Sequence, residues 1–325
     1  MERILQLGLA AFLALVGGMP AWAGERAPEL ELQPVQISPH VYYFGGASGM
    51  ADAANKGFMS NAGFVVTQDG VVAFDSLGTP ALGRAMLAAI AKVTDQPVRR
   101  VIVSHYHADH IYGLQAFQDA KAEIWAHANG RGYLNSDIAQ ERLAQRRADL
   151  GPWVNQDTRL VAADRWLDFA DGKTLRFSMG GLHFQVIDAS GAHSDEDIMM
   201  YVEEDKVLFA GDLYFTGRIP FVGDADSKAW LAAMDSMLDV QPETVIPGHG
   251  AASKDTARDM ALTRDYLAYL RQEMGKAVEN MTGFEEAYAA TDWSRFASYP
   301  AFDDANRINA YGQYLRMERE SLEGD

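Results

Sequence analysis

The residues that promise chemistry begin at position 105, where the chain reads His105-Tyr106-His107-Ala108-Asp109-His110. In extended backbone, residues two apart face the same way, so His105 and His107 can converge on one ion as a strand ends. Asp109 and His110 would then turn toward a second position at the start of a helix. Ligand-type side chains at this density and spacing form a far more specific signal than most short motifs. Three further residues stand in comparable places: His193 in Gly191-Ala192-His193-Ser194-Asp195, Asp212 in Gly211-Asp212-Leu213, and His249 in Gly248-His249-Gly250. Each is expected at the end of a short strand, where loops converge and active sites cluster.

Imidazole and carboxylate are ligands that zinc accepts, and a catalytic ion keeps one position open for water. Two such ions close together lower the pKa of the water between them, giving hydroxide near neutral pH, and polarise a scissile carbonyl. The chemistry is then hydrolysis without a side-chain nucleophile. This suits a chain with no cysteine, which excludes disulfides, thiolate nucleophiles and sulfur-ligated metals alike. The same nitrogen and oxygen donors also suit non-haem iron. An oxidoreductase, or a zinc-binding protein without catalysis, therefore stands beside the hydrolase.

Around Asp212 stand Tyr214, Phe215 and Arg218. Arg218 could meet a substrate carboxylate through two parallel hydrogen bonds, or be an ordinary loop arginine. Tyr112 and Tyr214 are candidates for the site wall or for packing. His40, His127 and His183 are isolated and read as structural.

The elements that must position these residues are short. Strands are expected at Val41–Phe44, Asn61–Thr67 and Val71–Asp75, the last two joined by the turn Gln68-Asp69-Gly70. A glycine-rich loop, Gly45–Gly57, separates the first two. Pro80–Val93 has helical periodicity with proline near its start. Then come a strand at Val98–Ser104, a helix at Asp109–Ala120 and a strand at Glu123–Ala126. Asn129–Leu150 reads as one long polar helix, a candidate lid or wall. Strands return at Thr174–Ser178, Leu182–Ala189, Ile198–Glu203, Val207–Ala210 and Thr244–Pro247, with a helix at Asp226–Leu238 and a helical tail from Lys254. Strands alternating with helices indicate a layered α/β architecture.

The 325 residues are 48% hydrophobic and 22% charged, the balance of a folded globular protein. A net charge of −17 disfavours nucleic acid and anionic lipid, because binding either requires a basic face. Arg142, Arg146 and Arg147 come nearest to a basic cluster, and Glu141 and Asp149 flank them. A small-molecule substrate is the expected partner; oligomeric state is not legible. At the start, an apolar run over Ile4–Val16 leads through Gly17, Gly18 and Pro20 to Ala21-Trp22-Ala23. That is the pattern of a signal peptide, so a periplasmic or secreted protein beginning at Gly24, without stable membrane association, is expected. An uncleaved anchor is the alternative.

The order His105-x-His107-x-Asp109-His110, His193, Asp212, His249 resembles the metal set of the metallo-β-lactamase superfamily. The likeness runs from Val41 to Ala252. It implies an α/β fold, a four-layer αββα sandwich of the metallo-β-lactamase type with the site on one edge and a helical C-terminal extension. The expected division is 1–23 signal, 24–40 leader, 41–252 sandwich and 253–325 extension. By the same likeness, His105, His107 and His193 hold one zinc ion, Asp109, His110 and His249 the other, and Asp212 bridges them. Asp109 would be the catalytic residue, orienting the attacking water. Asp75 resembles the superfamily's buried aspartate that orients a ligand histidine. Zinc β-lactamases usually carry cysteine or serine where Asp212 stands, whereas the glyoxalase-II-like branch carries aspartate. The export signal and the Ser60–Val66 strand look like exported zinc metallohydrolases found with sulfur-oxidation and quinoprotein systems. The expected reaction is attack of a metal-bridged hydroxide on an ester or thioester carbonyl. A β-lactamase or lactonase on the same site is an alternative, and an iron enzyme such as a persulfide dioxygenase is one of another class.

Overall fold

The computed structural model describes residues 30–323 apart from position 224. The signal segment expected at 1–23 lies outside the described residues. The first sheet holds seven strands in chain order: β1 (Val35–Gln36), β2 (Val41–Phe44), β3 (Ala62–Thr67), β4 (Gly70–Phe74), β5 (Val98–Ile102), β6 (Glu123–His127) and β7 (Arg165–Leu167). β1 to β4 pair antiparallel, and β4 to β7 pair parallel. Parallel neighbours need crossover connections. These are α1 (Pro80–Val93), the short α2 (Ala108–Ile111) with α3 (Leu114–Asp119), and α4 (Gly130–Leu134) with α5 (Asp137–Asp149). α1 starts as proline at a first turn allows, with Thr79 capping the amide of Leu82.

The second sheet has the order β12-β11-β10-β9-β8, formed by β8 (Thr174–Met179), β9 (Leu182–Asp188), β10 (Ile198–Val202), β11 (Val207–Phe215) and β12 (Thr244–His249). Only β11 and β12 run parallel, joined through α6 (Ser227–Ser236). Four helices follow: α7 (Thr256–Asp259), α8 (Ala261–Glu279), α9 (Phe284–Ala290) and α10 (Phe302–Glu323).

Alternation along the strands builds the layers, because successive side chains point to opposite faces. In β4, Val72 and Phe74 face the second sheet, while Val71 and Ala73 face α1 and α3. In β11, Val207 and Phe209 face the first sheet, while Leu208 and Ala210 face the helices on the other side. Both faces of β4 and β11 are thereby buried, whereas β8 and β9 keep exposed or half-exposed side chains on their outer face. α6, α8 and α10 share one core with the outer face of the second sheet. The C-terminal helices thus supply much of the fourth layer.

Several elements differ from the sequence reading. The helix expected over Asp109–Ala120 breaks at Tyr112–Gly113. There the Gly113 amide bonds the Leu77 carbonyl, and a Cβ on Gly113 would lie 1.8 Å from the Ser76 carbonyl oxygen. The long helix over Asn129–Leu150 is two, restarted by Ser136 capping Ala139. β11 runs on to Phe215 and β12 to His249, so Asp212 and His249 lie within strands rather than beyond them. The short β1 and β7 carry too few residues for a periodicity to show. Among the described residues no helix is long and apolar enough to cross a membrane.

Candidate metal centre

β5 delivers the first ligands as it runs out through Ser104 into His105 and His107, with Asp109 and His110 on α2. The turn between β9 and β10 carries His193. Its shape is set by Asp197, which accepts from the amide and hydroxyl of Ser194 at 2.6 and 2.8 Å. Asp212 sits in β11 at a register shift, beside Gly211 with φ +55°. His249 ends β12. His105, His107, His193 and Asp212 form one group of ligand-type residues, and Asp109, His110 and His249 a second. Within each group the ligand atoms lie within 4.8 Å of one another.

Asp212 joins the two groups. Its Oδ1 is 3.1 Å from His110 Nε2 and 3.3 Å from His249 Nε2. Its Oδ2 faces His193 Nε2 at 3.5 Å and His105 Nε2 at 3.8 Å. Asp109 Oδ2 lies 3.3 Å from His249 Nε2 and 3.5 Å from His110 Nε2. His193 Nε2 and His107 Nδ1 are 3.0 Å apart. These approaches are close but poorly aligned: His105 Nε2, His110 Nε2, Asp109 Oδ2 and Asp212 Oδ1 are buried without a hydrogen-bond partner. Native proteins seldom leave buried polar atoms so, and a shared cation between them resolves the deficit.

The opposite ring nitrogens are tied down. Asp75 accepts from His110 Nδ1 at 2.8 Å, from the Ser104 amide at 2.7 Å and from the Ser104 hydroxyl at 2.9 Å. With its proton committed to Asp75, that hydroxyl accepts from His105 Nδ1 at 2.9 Å. His249 Nδ1 donates to the Met59 carbonyl at 2.8 Å. Each ring is thus fixed in the orientation that turns Nε2 to the cluster. Phe215 stacks on His249, Trp230 meets His193 edge-on, and the Trp230 indole donates to the Leu213 carbonyl.

The electrostatics suit a cation. Burial and neighbouring imidazoles push His105 well below its ordinary pKa, His107 down to about 3 and His193 to about 4. Their lone pairs are therefore free at neutral pH. At His110 burial acts the same way, but Asp212, Asp109 and Asp75 outweigh it and raise that ring well above its ordinary value. Burial would raise Asp109 and Asp212; His110 and His249 overcome it and hold both carboxyls low. Metal ligation demands neutral imidazoles and ionised carboxylates. His105, His107, His193 and the two carboxylates stand in those forms, whereas His110 and His249, raised by the facing aspartates, would give up a proton to a cation.

A profile of the metallo-beta-lactamase superfamily matches residues 55–249. The chain belongs to the metallo-β-lactamase superfamily. A linear primary-alkylsulfatase from Pseudomonas sp. is 22% identical over 241 residues, covering 63% of this chain and 44% of that one. A metallo-beta-lactamase type 2 from Bacteroides fragilis is 24% identical over 233 residues, 68% of this chain and 80% of the other. A stereoselective inverting sec-alkylsulfatase from Pseudomonas sp. shares the fold with a TM-score of 0.66 and 19% identity, over 88% of this chain and 50% of its own. A metallo-beta-lactamase from Pontibacter korlensis gives 0.56 and 20%, over 73% and 99%. The chain spans about half the length of the alkylsulfatases it matches.

Within this metallo-β-lactamase fold the remaining candidates divide. Asp75 stands at the centre, in the left-handed region at φ +61° that aspartate tolerates better than most residues. Tyr112 and Tyr214 are buried in the two helical cores, away from the cavity lining. Arg218 lines the cavity, 1% exposed, but its Nε and Nη1 already donate to the Ile219 and Gly49 carbonyls at 3.3 and 3.1 Å. It anchors the glycine-rich loop, whose Met50 is part of the wall. His40, His127 and His183 sit elsewhere, beside Asp205, Asp188 and Glu204 respectively. Ser104 and Trp230 escaped the sequence reading. Ser104 directly precedes His105 and could have been suspected; Trp230 meets the site only through folding.

Proposed function

We propose that this chain is an exported hydrolase using two divalent cations, zinc by the character of the donors, to cleave an ester or thioester. The observation that carries the reading is the pair of ligand groups joined by one carboxylate, with buried donor atoms directed between them. His105, His107, His193 and Asp212 would hold one ion; Asp109, His110, His249 and Asp212 the other. When bound, such a pair supplies an activated water and polarises the scissile bond. The protein's own part is positional. Asp75 and Ser104 hold two histidines, Met59 a third, and Phe215 and Phe221 keep part of the cavity apolar.

The lining also bears on the leaving group. Among the described residues the cavity is formed by metal-ligand candidates, arginines and apolar side chains. None of the last two classes is an acid that could protonate a departing amine. A thiolate or alkoxide leaves with little protonation, whereas an amide nitrogen needs a donor. This supports esters and thioesters over β-lactams, in keeping with the resemblance of Asp212 to the glyoxalase-II-like branch. Export is supported by the Ala21-Trp22-Ala23 pattern, and intact mass of protein from the native host should begin at Gly24.

Elemental analysis of that protein, with steady-state kinetics on thioesters, esters, lactones and β-lactams, tests the reading. Two zinc ions per chain and the highest kcat/KM on a thioester or ester are expected. A β-lactam turned over faster than every ester and thioester would overturn the substrate class. One iron ion and no zinc would move the chain to the oxidoreductases.

A further inference from the structure

Helix α5 forms a wall of the cavity that holds the ligand candidates, and that wall is cationic. Arg142 and Arg146 stand one helical turn apart, so their side chains leave on the same face. Both line the cavity together with His107, Asp109 and Asp212. Neither is well paired. Among the described residues Arg142 makes no hydrogen bond or ion pair, and the Arg146 ion pair is a loose 3.8 Å approach to Asp149. Buried Arg218 adds a third positive charge to the same space.

This arrangement runs against the composition of the chain, whose net charge is −17. Among the described residues the only carboxylates lining the cavity are Asp109 and Asp212, and both belong to the ligand groups. Once those two serve cations, the guanidinium groups of α5 have no counter-charge left in the cavity. A partly desolvated positive charge calls for a partner, and a guanidinium fork matches the paired oxygens of an oxyanion. The hydroxyls of Tyr112 and Tyr133 are also buried without a partner.

We propose that Arg142 and Arg146 form the recognition wall for an oxyanionic group on the substrate, a carboxylate or a sulfate, so that the enzyme selects charged esters over neutral ones. The inference rests on the hydrolytic reading of the site and adds the class of substrate. Arg218 contributes charge to the wall, while its hydrogen bonds hold the Gly49 and Ile219 backbone.

The test compares the zinc-loaded protein with R142Q/R146Q on three substrates of equal chain length: a thioester ending in a carboxylate, a thioester ending in a sulfate and a neutral thioester. The wild type should prefer one charged substrate, and which one identifies the oxyanion. In the double variant the ratio of kcat/KM for that substrate to kcat/KM for the neutral thioester should fall about 100-fold, mostly through KM. R142K/R146K should recover part of the loss. Calorimetric binding of a non-hydrolysable alkyl sulfonate supplies a readout independent of turnover and should weaken in step, with thermal melting used to confirm that the variant is folded. A neutral thioester preferred by the wild type, or a ratio unchanged in a folded double variant, would overturn the proposal. Failure of the wild type to cleave any ester would instead defeat the hydrolytic reading, while unchanged sulfonate binding in the double variant would still count against the wall.

Discussion

Two aspartates act on His110 from opposite sides, and substitution should separate their roles. Asp109 presents Oδ2 to the second ligand group, 3.3 Å from His249 Nε2. Asp109→Asn should cut kcat by orders of magnitude while the chain stays folded, because the other group keeps all its members. Activity falling only in proportion to folded protein would contradict that role. Asp75 belongs to neither ligand group but fixes His110 directly and His105 through Ser104. Asp75→Asn should weaken metal affinity by about 10- to 100-fold, read by competition with a chromogenic chelator. Unchanged affinity would reduce Asp75 to a packing residue. The residues that gather at the centre were legible in the sequence because coordination restricts residue type; Ser104, Trp230 and Arg142 were not. A serine or tryptophan gains its role from what folding brings beside it. Arg142 reads in sequence as part of a mixed-charge stretch until its helical phase points it inward.

At the scale of elements, the close parallel pairing of β11 and β12 matters most. A Cβ on Gly248 would fall 2.0 Å from Asp212 Oδ1 and 2.7 Å from the Gly211 carbonyl carbon. Gly248→Ala must therefore displace the Asp212 carboxylate or part the strands. A loss of stability of about 1–3 kcal/mol is expected, with lower metal content in the folded fraction. Denaturant titration with elemental analysis measures both, and full occupancy at wild-type stability would refute it. Strands and α1 were legible through period and proline placement. The broken helix at Tyr112–Gly113 was not, because its cause is a carbonyl of Ser76, remote in sequence. The extension of β11 through Gly211-Asp212 was hidden for a similar reason: glycine and aspartate disfavour strands locally, and pairing with β12 overrides them.

For the whole molecule, the ligand groups draw on both sheets: the connection after β5 and α2 supply His105, His107, Asp109 and His110, while the second sheet and its β9–β10 turn supply His193, Asp212 and His249. Bound ions should therefore hold the two halves together. Ligand binding at 100 times Kd stabilises a fold by about 2.7 kcal/mol, so stripping the metal with a chelator should lower Tm by several degrees, reversed by adding zinc. A melting curve indifferent to chelator would show that the ions bear no such load. The layered architecture was legible from strand and helix alternation together with the family likeness. The helices after 253 were legible as helices, but their share in the fourth layer appears only in the packing of α8 and α10 with α6 on the second sheet.

The stitching between the sheets at the site edge also sets an order of events in time. The Asn61 amide bonds the Gly248 carbonyl, its side chain reaches Pro247 and Gly250, and Ile198 bonds Ser104. These contacts join segments far apart in the chain, and such contacts form slowly. A newly made chain therefore owns two incomplete half-sites until its sheets have met, and neither half contains the full bridged set. Metal capture should follow folding rather than seed it. In refolding, zinc uptake should never outrun the burial of inter-sheet tryptophan Trp125, and a metal signal preceding that burial would reverse the order. An abundance of zinc would then preserve chains already folded but rescue none whose sheets had failed to dock.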